Sequence, residues 1–205
     1  MRIKFCGIRH ECDIDYINEF SPDYIGFIFA PSKRMITPRD AGLLNQRRKK
    51  SISSVGVFVN TSVKDVLTAV SISGMDIIQL HGDEDEQYIW ELRKHTDREI
   101  WKAVRIKKQD DIIKAQKLGA DKLLLDSFSE TAYGGTGVCA DWSIIKNTDI
   151  NVPFFVAGGI NESNILSAIN ELHPYGIDIS GGIESNGTKD REKIKNIIKL
   201  LERNE

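Results

Sequence analysis

Eight short apolar runs, ending near Cys6, Phe29, Val59, Leu80, Val104, Asp126, Ala157 and Ser180, recur at intervals of roughly two dozen residues. Each suits a strand buried on both faces. Between them lie stretches of helical period. Val63, Val66, Leu67 and Val70 stand at i, i+3, i+4 and i+7, as do Ile165, Ala168, Ile169 and Leu172, and again Ile194, Ile197, Ile198 and Leu201. Strands alternating with amphipathic helices imply a parallel sheet. Eight such units without a linker or composition break fit a single-domain (β/α)8 barrel over residues 1–205 better than an open doubly wound sheet, and no Gly-x-Gly-x-x-Gly follows the first run.

Local signals agree. Thr37-Pro38 reads as a cap and first-position proline for the second helix, and Gly74 and Gly119 read as the stops of the third and fifth. The run Arg47-Arg48-Lys49-Lys50 sits where a helix C-terminus favours cations, so it needs no nucleic-acid partner. Charge points the same way: 28 Lys and Arg against 30 Asp and Glu leave a net −2, which gives no electrostatic reason for binding nucleic acid or an anionic membrane. The opening Met-Arg-Ile-Lys-Phe-Cys-Gly is a strand too short for a leader's apolar region, so a soluble, cytoplasmic protein, monomer or homodimer, is expected.

Cys6, Cys12 and Cys139 are an odd number without Cys-x-x-Cys spacing, which predicts reduced thiols. His10, His81, His95 and His173 are scattered, and no metal site is expected.

In a barrel, function belongs at the C-terminal ends of the strands. The first run ends in Cys6, either a small buried apolar residue or, with Asp126 across the mouth, half of an acid–base pair. Lys4 shares its strand face, about 7 Å below, and is expected to favour the thiolate. Arg34 follows an Ala-Pro break, where a planar guanidinium could take a carboxylate in two places. Gln79-Leu80-His81 ends the fourth run, and His81 either caps a helix or touches ligand. Gly158-Gly159 and Ser180-Gly181-Gly182 end the last two runs, where barrels commonly hold a phosphate on backbone N–H groups. After Asp126, the glycines Gly134, Gly135 and Gly137 suit either a mobile cover or a solvated turn.

Taken together, Lys4-Phe5-Cys6-Gly7-Ile8, Gly26-Phe27-Ile28-Phe29 with Ser32-Lys33-Arg34, Val55 to Asn60, Gln79-Leu80-His81-Gly82, Leu124-Leu125-Asp126 with Tyr133 to Gly137, and Ala157-Gly158-Gly159 resemble the phosphoribosylanthranilate isomerases. The resemblance runs from residue 4 to about 184. It implies a (β/α)8 enzyme of tryptophan biosynthesis that converts N-(5'-phosphoribosyl)anthranilate to 1-(2-carboxyphenylamino)-1-deoxyribulose 5-phosphate, an Amadori rearrangement needing no cofactor. On the matching positions, Asp126 would be the general acid and Cys6 the general base. Arg34 would bind the anthranilate carboxylate, with Gln79 and His81 beside the substrate. Gly158, Gly159, Ser180, Gly181 and Gly182 would bind phosphate. One departure is Gly181, where many members carry a second hydroxyl.

Three other readings compete. The histidine-pathway isomerase performs the same chemistry on an aminoimidazole ribonucleotide and resembles a two-carboxylate site, but its first strand ends in Asp where this chain has Cys6. A non-catalytic phosphoribosyl binder would lack the acid or the base. A Schiff-base aldolase would need a strand-end lysine near Asp126, and Lys102 has no motif to recommend it.

Overall fold

Each strand pairs in parallel with the one before and after it in sequence, and the eighth returns to the first, so the sheet closes as β1-β2-β3-β4-β5-β6-β7-β8. The strands are β1 (Arg2–Cys6), β2 (Tyr24–Ile28), β3 (Ser53–Phe58), β4 (Ile77–Leu80), β5 (Glu99–Arg105), β6 (Lys122–Asp126), β7 (Phe154–Ala157) and β8 (Gly176–Ile179). Each of these ends falls within about a residue of the end expected from the apolar runs. The computed structural model describes residues 1–126 and 142–202. Gly134, Gly135, Gly137 and Cys139 therefore lie outside the described residues.

The helices α1 (Glu11–Phe20), α2 (Pro38–Arg47), α3 (Val63–Ser73), α4 (Glu86–Arg93), α5 (Gln109–Ala115), α6 (Ser143–Lys146), α7 (Ile165–Leu172) and α8 (Arg191–Glu202) alternate with the strands. Their apolar stripes pack outward-facing strand residues. Val66 and Val70 of α3 lie buried with Ile78 and Leu80 of β4, while Ile194 and Ile197 of α8 join the cluster holding Ile3, Phe5 and Ile177. No helix among the described residues is long and apolar enough to cross a membrane.

The caps follow the sequence with one exception. Thr37 accepts from the Asp40 N–H ahead of Pro38, and Gly74 takes a left-handed φ of 66° as its N–H closes on Val70 O. Gly119 is left-handed too, at φ 77°, but does not end the fifth helix. α5 stops at Ala115, with Gln116 still right-handed, and Gly119 bends the following turn toward β6. Arg47 lies in the last turn of α2 and pairs with Glu11, 2.6 Å away, while Arg48 pairs with Asp76. Part of the basic run thus braces neighbouring elements.

Side-chain alternation divides the barrel's interior. Inward positions near the N-terminal end carry Tyr24, Trp101 and Phe155, with Trp101 stacked on Phe155 at 4.8 Å and edge-on to Tyr24 at 5.0 Å. Gly176 makes room for this aromatic floor, since a Cβ there would lie 2.3 Å from the Phe155 ring. Above the floor the interior turns polar. Lys4 and Asp178 are register partners across the β1–β8 seam, and Lys4 Nζ donates to Asp178 Oδ1 at 2.9 Å. The same period that buries Ile77 and Leu124 brings Gln79 and Asp126 inward one step higher.

Candidate active site

A cavity of about 730 Å³ opens at the C-terminal mouth of the barrel. Cys6, Arg34, Gln79, His81 and Asp126 line it, and so do Gly158, Gly159, Ser180, Gly181 and Gly182. Every candidate residue read from the sequence is therefore brought to one place. A second cavity of about 580 Å³ lies alongside, where Lys102 donates to Gly82 O at 2.6 Å and Glu84 Oε2 at 3.0 Å. Lys102 is outward-facing, held by a carboxylate and outside the lining of the first cavity, which removes the support for a Schiff-base aldolase.

Cys6 ends β1 facing inward, with its thiol buried. Burial pushes the thiol's pKa up; the Lys4 ammonium pulls it down, while Asp178 pushes it up again. Lys4 thus favours the thiolate as expected, but the net direction is upward. The reason is burial first, with the charge of Asp178, which binds Lys4, adding to it. Lys4, fully buried, is destabilised as a cation by desolvation, but Asp178 and the Cys6 thiolate together hold its pKa above the ordinary value.

Asp126 ends β6, paired in register with Ala157 of β7. His81 Nε2 lies 3.6 Å from Asp126 Oδ2, too long for a hydrogen bond. Gln79 Nε2 is 3.0 Å from His81 Nδ1, so the amide holds one side of the ring and leaves Nε2 facing Asp126. His81 thus approaches Asp126 and is oriented from behind by Gln79. The other end of that amide, Gln79 Oε1, is buried without a hydrogen-bond partner among the described residues. A buried acceptor left open beside a cavity suits a ligand hydroxyl.

Arg34 lies in the loop that folds back from β2 through a bridge between Ile28 and Met35. Its guanidinium does not stand in solvent. Nε and Nη2 donate to Glu184 Oε1 and Oε2 at 2.7 and 2.6 Å. That double grip holds the Glu184 carboxyl at about 2 against the upward push of its burial, with Lys189 helping Arg34.

Gly158 and Gly159 both adopt left-handed backbone, φ 87° and 70°, which a side chain would strain. The amides of Asn161 and Asn164 grip Gly159 O at 2.9 and 3.1 Å and fix the turn. Gly182 plays a different part. A Cβ on it would lie 2.1 Å from Ile160 O, so it lets the loops after β7 and β8 touch. A Cβ on Gly181 would meet Arg34 Nη2 at 3.5 Å, an ordinary contact. Ser180 donates its hydroxyl to Cys6 O at 3.1 Å, tying the last loop to the first strand.

Three contributors have no role assigned from the sequence, although Asp178 and Glu184 bracket the end of the eighth run. Asp178 lines the cavity and holds Lys4. Glu184 and Lys189 come from a hairpin of β9 (Glu184–Ser185) and β10 (Thr188–Lys189) inserted between β8 and α8, in which the two residues pair. The hairpin's signal was Asn186-Gly187, whose positive φ values of 51° and 80° suit the tight two-residue turn that Asn-Gly favours.

Fold and site together define a class: a (β/α)8 enzyme with a polar cavity at the C-terminal mouth of its barrel, where a thiol, a carboxyl and a guanidinium meet. Comparison with known proteins makes it particular. The chain belongs to the N-(5'-phosphoribosyl)anthranilate isomerase family, whose profile matches residues 3–200. An N-(5'-phosphoribosyl)anthranilate isomerase of Thermoanaerobacter sp. (strain X514) is 40% identical over 201 residues, covering 98% of each chain. The crystal structure of phosphoribosyl anthranilate isomerase from Thermotoga maritima superposes with a TM-score of 0.87 at 32% identity, covering 99% of both chains. A further structure of a phosphoribosyl anthranilate isomerase, in complex with reduced 1-(o-carboxyphenylamino)-1-deoxyribulose 5-phosphate, has a TM-score of 0.84 at 31% identity over 99% of both chains.

Proposed function

We propose that this chain catalyses the Amadori rearrangement of N-(5'-phosphoribosyl)anthranilate to 1-(2-carboxyphenylamino)-1-deoxyribulose 5-phosphate, with Asp126 as general acid and Cys6 as general base. The carrying observation is that a strand-end carboxyl and a strand-end thiol line one cavity whose rim supplies a guanidinium and two glycine-rich loops. Asp126 gives its proton to the furanose ring oxygen as the bond from that oxygen to C1' breaks, leaving a Schiff base. The Cys6 thiolate then takes the C2' proton, and the enolamine tautomerises to the ketone. One proton enters and one leaves, so an acid and a base suffice without redox chemistry.

Arg34 takes the anthranilate carboxylate, and Gln79 Oε1 accepts from a sugar hydroxyl while His81 steadies Asp126. The loops at Gly158-Gly159 and Ser180-Gly181-Gly182 hold the phosphate, whose binding energy positions a sugar that reacts elsewhere. Ser180 contributes through its backbone, because its hydroxyl proton is spent on Cys6 O. All these residues come from one chain, so a monomer or a homodimer in the cytoplasm would carry a whole site.

The test is turnover of phosphoribosylanthranilate by the purified protein, followed by loss of substrate fluorescence, beside the aminoimidazole ribonucleotide of the histidine pathway. Turnover of the first substrate alone is expected. Turnover of the second alone, or tight binding without turnover, would replace this reading.

A further inference from the structure

The grip of Glu184 on Arg34 is built with more care than a surface ion pair needs. Glu184 and Arg34 are 150 residues apart in sequence, yet both carboxylate oxygens meet the guanidinium, at 2.7 and 2.6 Å. Lys189, opposite Glu184 in the hairpin, donates to Glu184 Oε1 at 2.8 Å, to Cys6 O at 2.6 Å and to Ser180 O at 3.1 Å. Lys193 secures the backbone of Glu184 by donating to its carbonyl at 2.6 Å. The Lys189 and Glu184 side chains are 1% and 9% exposed, so water competes little for these bonds.

The stem of Arg34 is confined as well. It crosses Gly7, where a Cβ would lie 2.6 Å from Arg34 Cδ. With Nε and one Nη2 hydrogen committed to Glu184, the guanidinium's remaining N–H groups are those of its far edge. Two cations against one carboxylate leave the cluster a positive charge, so an incoming anion is still attracted.

We propose that Glu184, braced by Lys189, is the positioning residue that fixes the Arg34 guanidinium and presents its far edge to the aromatic carboxylate of the substrate. The proposal rests on the assignment of Arg34 to that carboxylate. Lys189 also links this end of the site to the Cys6 and Ser180 carbonyls, so the carboxylate grip, the base and the phosphate loop share one rigid brace. Without Glu184 the guanidinium keeps its charge but loses its aim, and ground-state and transition-state binding weaken together.

The experiment measures kcat and KM for phosphoribosylanthranilate, and competition by inorganic phosphate, in Glu184→Gln, Arg34→Ala and the double variant. Glu184→Gln should raise KM roughly tenfold, change kcat less than about threefold, and leave phosphate affinity as it was. In the Arg34→Ala background the same change should do almost nothing further, because the residue acts through Arg34. Glu184→Asp keeps the charge but draws the carboxylate back by one methylene, which loosens the double contact with Arg34, so its KM should fall between. This milder variant also serves if the glutamine variant does not fold. An Arg34→Ala enzyme with raised KM beside unchanged Glu184 variants would overturn the positioning role alone. Equal losses of Glu184→Gln with and without Arg34, or loss of phosphate affinity, would show a structural role and overturn it too. An unchanged KM in Arg34→Ala would instead remove the underlying assignment of the carboxylate.

Discussion

The sulfur of Cys6 occupies the space that a side chain on Gly26 would need: a Cβ there would lie 2.7 Å from Cys6 Sγ and 3.2 Å from Lys4 Nζ. The two glycine hydrogens on β2 thus shape the pocket in which the proposed base sits. Gly26→Ala should fold, at a cost of about 1–3 kcal/mol for overpacking. Turnover should drop at least about tenfold as the thiol is pushed off its line to the substrate. Unaltered kcat with a lowered melting temperature would mean that the thiol's placement is not critical.

The thiol's environment sets a pH dependence. Because burial raises its pKa despite Lys4, little thiolate is present near neutrality, and kcat/KM should keep rising with pH beyond the ordinary thiol value of about 8.5. A rising limb centred well below that value would mean that Lys4 outweighs burial. Cys6→Ser should be folded and nearly inactive, while Cys12→Ser, at an exposed position, and Cys139→Ser should turn over normally.

Replacing Asp126 by Asn keeps shape but removes the proton. Turnover should fall about 10² to 10⁴-fold with product affinity nearly unchanged, measured by steady-state kinetics and direct titration. Near-normal kcat would require another acid.

The two glycines after Ser180 should answer differently to the same substitution. Gly181→Ser has room and should leave inorganic phosphate competition equal or tighter. Gly182→Ser collides with Ile160 O and should part the loops, weakening phosphate and lowering stability. If Gly182→Ser binds phosphate as wild type does, those loops are not the anion's seat.

Glu184 also carries a stability signature. Its carboxyl lies at about 2 in the folded protein against an ordinary value of 4.5, a depressed value, so its contribution is present above the ordinary value and is lost as pH falls toward 2. Wild type and Glu184→Gln should therefore differ in melting temperature at pH 7 and converge as the pH drops through that window. A gap that persists at pH 2 would place the stabilisation in packing and not in charge.

How far the sequence could be read depended on the range of the interactions. Eight strands and the mouth they build were legible because apolar runs such as Leu123 to Leu125 report burial on both faces, and alternation then says which neighbours turn inward. The inward set of Cys6, Gln79 and Asp126 followed directly. What stayed hidden was pairing over distance. Nothing local to Arg34 announces Glu184, and strands of two residues in β9 and β10 are too short for any period. The net sign of the Cys6 shift was missed for a related reason: Lys4 could be seen two residues away, but the depth of the thiol's burial and the charge of Asp178, 174 residues beyond Lys4, could not.

The seam between β1 and β8 joins the first strand of the barrel to its eighth, and the chemistry straddles it. Cys6 arrives in the opening residues of the chain. Its carbonyl is seated by Ser180 and Lys189, which emerge near the end. Residues 1–153 hold both proposed proton-transfer residues, Cys6 and Asp126, and β2 beside the first, yet lack the two side chains that seat its carbonyl. The seat of the proposed base is therefore completed only by residues at and beyond the strand that seals the ring.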